Sequence, residues 1–318
     1  MDRKRFCWVT SSAVAGLLMA VSTGHGIMYT PSIYYFGSMH INASGQVAGY
    51  APYGSMATHA FRYDGDGREV IDLGLGGTNS GAMGINVHGQ VVGGAQIIGN
   101  TANHAFFYDG TMHDLGTLGG TDSEARGINA SGQVVGSSQL SGNTSSHAFL
   151  YDGTMHDLGT LGGTYSEASA INASGQVVGS SQLSGNTAIH AFFYDGTMHD
   201  LGTLGGTYSS ASAINSSGQV VGQSRTSENS DNYAFFYDGT MHDLTSLLSP
   251  DSGWTITHVY DINDNGWIVA TGTNSAFGYE DYFLLLKPVS QPAPEPASLG
   301  LLGLGIMGLL VRRRGGGR

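Results

Sequence analysis

Twelve histidines set among many aspartates are the residues of this chain with the most obvious chemical capacity. Imidazole beside carboxylate serves metal binding and general acid–base work alike. Their positions argue for something plainer. Four open the tripeptide His-Ala-Phe, at His59, His104, His147 and His190, and four sit in Met-His-Asp, at His113, His156, His199 and His242. A residue that recurs with a repeat serves the repeat's structure, for instance by bonding a neighbouring carbonyl. A catalytic site instead needs one asymmetric constellation. The chain has no nucleophile elbow, no HExxH and no Walker loop. The expectation is a non-enzymatic protein with no catalytic residues.

One stretch resembles the start of a calcium loop: Asp261-Ile262-Asn263-Asp264-Asn265-Gly266. Asp261, Asn263 and Asn265 stand where an EF-hand loop places its first ligands, but that loop needs a carboxylate at its twelfth position. Here that position is Gly272, and the hexapeptide aligns with the hairpin turn at 127–132. A turn is expected, with calcium as the alternative and no other cofactor implied. The Asn-x-Ser triplets at Asn42, Asn129, Asn172 and Asn215 read as turn chemistry on the same grounds.

The elements that carry these residues repeat. Ile-Asn-x-x-Gly begins at Ile41, Ile85, Ile128, Ile171, Ile214 and Ile262, with spacings of 44, 43, 43, 43 and 48. His-Ala-Phe degenerates to Tyr233-Ala234-Phe235 and to a weak sixth copy at Tyr282-Phe283-Leu284. A third piece, Asp-Leu-Gly-(Thr)-Leu-Gly-Gly, begins at Asp72, Asp114, Asp157 and Asp200 and is broken at Asp243. Such a period points to a propeller, solenoid or array. Residues 121–163 and 164–206 are nearly identical, so repeated residues are not independent witnesses for function.

One unit reads as four short strands: 125–129, 133–138, 147–151 and 154–158. A turn follows the first, Asp152-Gly153 forms a two-residue hairpin turn, and a Gly-rich GTLGGT crosses to the next unit. The segments QVVG and HAFFY are apolar on both faces, as strands are when both sheet faces are covered. Helix periodicity is absent, and 51 glycines would weaken helices severely. The expected fold is all-β, a six-bladed β-propeller of about 43-residue four-stranded repeats. The sixth unit lacks a fourth strand before Pro288, and a spare strand at 28–35 precedes the first repeat, so the N-terminal strand is expected to close the ring. The alternative is a β-solenoid.

These three motifs resemble the HAF repeat of predicted bacterial extracellular proteins, over roughly residues 39–286. The resemblance implies export and repetition and no established chemistry.

Both ends of the chain carry sorting features. Arg3, Lys4 and Arg5 precede an apolar run over 6–21 and then small residues, the pattern of a secretory signal peptide over 1–22. At the other end Pro294-Glu295-Pro296 precedes an apolar stretch over 297–311 and then Arg312, Arg313 and Arg314. As a helix those 15 residues would span about 22 Å, short against about 30 Å of hydrocarbon. That length suits transient retention, with the arginines on the cytoplasmic side. An ordinary tail anchor is the plainer reading; Gly300, Gly303, Gly305 and Gly308 make it a poor permanent helix. The order and content resemble the PEP-CTERM signal of Gram-negative bacteria. That resemblance implies an exosortase-type sorting enzyme as partner, transient inner-membrane anchoring by the C-terminal helix, and delivery to the cell envelope surface or extracellular matrix. The expected divisions are a signal peptide at 1–22, the repeat domain at 27–289, a Pro-rich linker with the PEP segment at 290–296, and the helix with its basic tail at 297–318.

Removing both ends leaves no cysteine, so stability rests on packing and not on disulfides. Five basic side chains (Arg62, Arg68, Arg126, Arg225 and Lys287) then stand against 23 acidic ones, a net charge of about −18. Such a surface repels nucleic acid, which is excluded as a partner. The loops joining the second and third strands differ most between units, and loops on a rigid scaffold are where binding is built. They are polar and uncharged, with Tyr50, Tyr53, Tyr279 and Tyr282 near their ends, which suits neutral sugars. The expected function is adhesion or association with an exopolysaccharide (biofilm) matrix. The alternatives are a secreted propeller enzyme acting on glycans, or a matrix filler without a specific ligand.

Overall fold

The computed structural model describes residues 39–53, 57–64, 71–228, 232–278, 281–288 and 304–306. Among them every regular element is a β-strand or a short 3-10 turn, and no helix is long and apolar enough to cross a membrane. The strands form tandem four-stranded antiparallel units. Unit three is Gly119–Ile128, Val134–Leu140, Ser146–Tyr151 and Met155–Asp157, paired in chain order. Units one, two, four, five and six open with Met39–Ile41, Gly76–Ile85, Gly162–Ile171, Gly205–Ile214 and Trp254–Ile262. Single parallel pairings, Ser146 with Tyr165 and Ile189 with Tyr208, join units three, four and five into one twelve-stranded sheet.

Two local readings change. Part of the expected Gly-rich crossover is strand: Gly119 and Gly120 begin the first strand of unit three, and Leu118 makes a parallel bridge to Leu140. The hairpin after His-Ala-Phe has three loop residues, because Tyr151 pairs with Met155. Asp152 donates its N–H to the Thr154 carbonyl at 3.3 Å, and Gly153 takes φ +121, which favours glycine there.

The core lies at the seams between units. In QVVG the first valine faces backward and the second forward. Val135 and Ala148 of unit three pack with Ala168, Val177 and Phe192 of unit four, and Val178 and Ala191 of unit four pack with Ala211, Val220 and Phe235 of unit five. This is why these segments are apolar on both faces. The following glycine is required by close approach: a Cβ on Gly136 would lie 1.9 Å from the Glu124 carbonyl oxygen. That contact sits at the register shift between Val135 and Gly136, a β-bulge in the first two strands of the unit.

An asparagine ladder ties the seams. The side-chain amides of Asn42, Asn86, Asn129, Asn172 and Asn215 each donate to the backbone carbonyl of the next repeat's asparagine, at 2.9, 2.9, 3.1, 3.0 and 3.2 Å. Each of these residues also shapes its own turn; Asn129 Oδ1 accepts from the N–H groups of Ser131 and Gln133.

The expected closure is not found. No described sheet closes on itself, and no strand pairing joins the first unit to the last. The strand expected at 28–35 lies outside the described residues. The fourth position of unit six, assigned to it from the sequence, is taken instead by Leu304–Ile306, antiparallel to Tyr282–Pro288. Those three residues fall within the stretch expected to be a membrane helix, and the rest of 297–311 lies outside the described residues. The forward face of unit six is correspondingly open, with Val269 and Phe283 40% and 42% exposed where Val135 and Ala148 are fully buried.

Candidate functional site

The repeated histidines are engaged within their own units. His59, His104, His147 and His190 each place Nδ1 2.8–3.0 Å from both carboxylate oxygens of Asp72, Asp114, Asp157 and Asp200. The second set faces the hairpin aspartates: His113 on Asp109, His156 on Asp152, His199 on Asp195 and His242 on Asp238, at 2.8–3.3 Å. The partners are carboxylates and not the carbonyls anticipated above. The hydrogen bond from histidine holds Asp109, Asp152 and Asp195 below the ordinary carboxylate range.

The calcium-like stretch is a turn built like the others. Asn263 Oδ1 accepts from the N–H groups of Asn265 and Trp267, and Asp261 Oδ1 accepts from Ile262. Asp264 reaches across the seam to accept from Ser216 N–H at 2.8 Å. Of the candidate ligands, Asp261 and Asn263 thus each turn one side-chain oxygen onto backbone donors, and among the described residues no group of three or more His, Cys, Asp or Glu is placed together.

The inter-strand loops form a polar fringe held by the first strands. Asn100, Asn143 and Asn186 adopt φ +56, and Asn143 Oδ1 accepts the N–H of Thr121 at 2.9 Å. Gln139 Oε1 accepts from the Thr121 hydroxyl and from Asp122 N–H. Of the tyrosines expected near this fringe, Tyr50 is half-buried. Tyr282 is buried, edge-on to Trp254, and donates its hydroxyl hydrogen to the Phe277 carbonyl at 2.9 Å. It belongs to the core. The Tyr53 side chain and Tyr279 lie outside the described residues.

One charged constellation escaped the sequence reading. Arg126 joins Glu124 of its own strand at 3.2 Å and Glu167 of unit four at 2.9 Å, and Tyr165 donates its hydroxyl hydrogen to Glu167. Burial and the Glu167 hydrogen bond push the Tyr165 hydroxyl pKa up. The equivalents in unit five are Ser210 and Ser212, so the group occurs at one seam. Its only signal in the sequence is one of the four arginines of the repeat domain (Arg62, Arg68, Arg126 and Arg225).

The sorting residues Pro294, Glu295, Pro296, Arg312, Arg313 and Arg314 lie outside the described residues. In a comparison of the sequence with known families, residues 292–314 match the family described as PEP-CTERM protein-sorting motif. The chain carries a PEP-CTERM motif. The motif marks the protein for export to the cell envelope or extracellular surface, and such motifs are generally processed by an exosortase. A search of curated proteins finds no match.

Among solved structures, TolB from Acinetobacter baumannii is similar at 13% identity and TM-score 0.44, over 76% of this chain and 63% of that one. The chain thus spans less than two thirds of TolB. The Aleuria aurantia lectin is similar at 16% identity and TM-score 0.37, over 86% of this chain and 94% of that one. The β-propeller domain of the Trilobed protease from Pyrococcus furiosus is similar at 11% and 0.36, over 78% and 95%.

Proposed function

We propose that the protein is an exported, non-enzymatic component of the extracellular polysaccharide matrix, gripping it through the polar loop fringe of its repeats. The PEP-CTERM motif at 292–314 carries this reading. The signal peptide at 1–22 starts export, the apolar stretch at 297–311 holds the chain transiently in the inner membrane, and an exosortase-type enzyme acts at Pro294-Glu295-Pro296. The repeat domain at 27–289, of HAF type, acts outside. The loop recurs once in every unit, which favours many weak contacts over one strong site, and avidity makes such contacts effective.

In this reading the six units close into a six-bladed propeller. The support is directional: each unit offers a forward face to the next, and unit six ends on an exposed forward face while unit one begins on a backward one, with Ile41 71% exposed where the equivalent Ile128 packs against unit two. Asn263 would supply the sixth rung of the ladder by donating to the Asn42 carbonyl.

A second reading, a secreted glycan-active enzyme, draws on the Glu124–Arg126–Glu167 group. Both carboxylates share one guanidinium, which suits a structural ion pair better than an acid and a base pushed apart in pKa. Replacing residues 141–145, between the strands that end at Leu140 and begin at Ser146, with a Gly-Ser linker tests the loop reading. Retention on exopolysaccharide should fall while the thermal unfolding profile persists; unchanged retention removes the loop fringe from the account.

A further inference from the structure

The seam between units five and six departs from the other four in ways that coincide. At the seams after units one to four, a serine hydroxyl of the next first strand accepts the alanine N–H of His-Ala-Phe: Ser80 from Ala60, Ser123 from Ala105, Ser166 from Ala148 and Ser209 from Ala191, at 2.8–2.9 Å. The strand register puts Ile256 at that position in unit six. A second tie is lost nearby. Thr58 and Asn103 donate backbone N–H groups to Asn79 and Asp122, and Ser146 and Ile189 make parallel bridges to Tyr165 and Tyr208. Asn232, the equivalent residue of unit five, makes no such bond to unit six among the described residues.

The seam therefore parts into a cleft of about 460 Å³, lined by Arg225, Asn232, Tyr233, Thr255, Thr257 and His258, with Ile256 beneath. Two of these residues are substitutions of the repeat itself. Arg225 stands where Gln96, Gln139 and Gln182 stand, and Tyr233 stands where the His-Ala-Phe histidine stands. Asp243 keeps only the bond to the N–H two residues on, here Thr245, that Asp114, Asp157 and Asp200 also make to Gly116, Gly159 and Gly202, and it caps the inserted turn. Repeat decay alone would scatter such changes; here both fall on one opening.

Arg225 is held ready for an anion. Its guanidinium lies over the Tyr208 ring at 5.3 Å, and Nε donates to Asn232 Oδ1 at 3.2 Å. Its two terminal nitrogens have no partner among the described residues, and no described carboxylate pairs with it. Asp281 accepts from the Thr257 hydroxyl of the cleft wall at 3.4 Å. A planar two-nitrogen fork matches a carboxylate. Beside it are a half-buried tyrosine ring, two threonine hydroxyls and an amide, groups that serve the apolar face and hydroxyls of a sugar ring.

We propose that this cleft binds a carboxylate-bearing sugar residue, a uronic acid unit, with Arg225 on the carboxylate and Tyr233 against the ring. The proposal rests on the matrix-polysaccharide reading and names the sugar class that one site selects.

Calorimetric titration of the full chain with trigalacturonate, and with its neutral methyl ester, tests it. Saturable binding of the acid and at least tenfold weaker binding of the ester are expected. R225Q and Y233H restore the residues of the repeat, so both should fold, and both should lower affinity for the acid at least tenfold. Equal affinity for acid and ester, or an unchanged R225Q, overturns the site. Retention of the wild-type chain on exopolysaccharide, measured alongside, separates the two claims. Retention without uronate binding defeats this cleft alone, and uronate binding without retention defeats the matrix reading alone.

Discussion

The side-chain amide of Asn172 donates to the backbone carbonyl of Asn215 at 3.0 Å, one repeat further along the chain. The same asparagine folds its own turn, its Oδ1 accepting from Ser174 and Gln176 N–H groups at 3.0 Å. One side chain therefore couples a local hairpin to the docking of the next unit. Asn172→Ala removes both roles and leaves the buried Asn215 carbonyl without this donor, a loss of about 2 kcal/mol. Urea unfolding of the variant should show a lower midpoint; an unchanged midpoint would remove the ladder from the stability of the array.

Gly179 and Gly196 separate two reasons for glycine. A Cβ at Gly179 would lie 1.9 Å from the Glu167 carbonyl oxygen, against backbone that cannot yield, whereas Gly196 at φ +114 has nothing within 4 Å. Gly179→Ala should cost about 3 kcal/mol or more, and Gly196→Ala about 1 kcal/mol from the backbone alone. Thermal unfolding of the pair should rank them in that order.

The surface His–Asp pairs predict a titration. Asp152 is fully exposed, and the hydrogen bond from His156 lowers its pKa from 3.8. A carboxylate depressed in the folded state stabilises above its unfolded pKa, and that contribution disappears as pH falls through the folded value. The pairs at Asp109, Asp152 and Asp195 should thus weaken as pH falls below about 4. Carboxyl-carbon NMR should give a midpoint for Asp152 below 3.8, returning towards it in His156→Ala.

Much of the fold was legible because seam burial writes itself into the sequence: Val134-Val135 and Ala148-Phe149 are apolar on both faces since each residue of a pair packs on a different neighbour. Other features needed register. His147 meets Asp157 only because the three-residue hairpin sets the two strands side by side, and nothing in their ten-residue spacing says so. Tyr233 was visible as a degenerate His-Ala-Phe, yet its meaning depends on Arg225 lining the same cleft. The GTLGGT segment reads as loop from composition, while Gly120 is strand because only glycine fits beside Gln139, where a Cβ would lie 2.6 Å from that side chain's own.

The proposed ring closure would make Phe283 a seam residue. Phe283→Asp should then cost about 2–3 kcal/mol by placing a charge in an apolar contact, against less than about 0.5 kcal/mol for a residue left on the surface. A measured loss near zero would leave the units as an open array.

The most direct test of the whole account is co-sedimentation of residues 27–289 with exopolysaccharide from the native host, with calcium and with chelator. Saturable retention that chelator does not alter is the predicted result. No retention by a domain shown to be folded would contradict the matrix reading, and loss under chelator would contradict the assignment of Asp261, Asn263 and Asn265 to a simple turn.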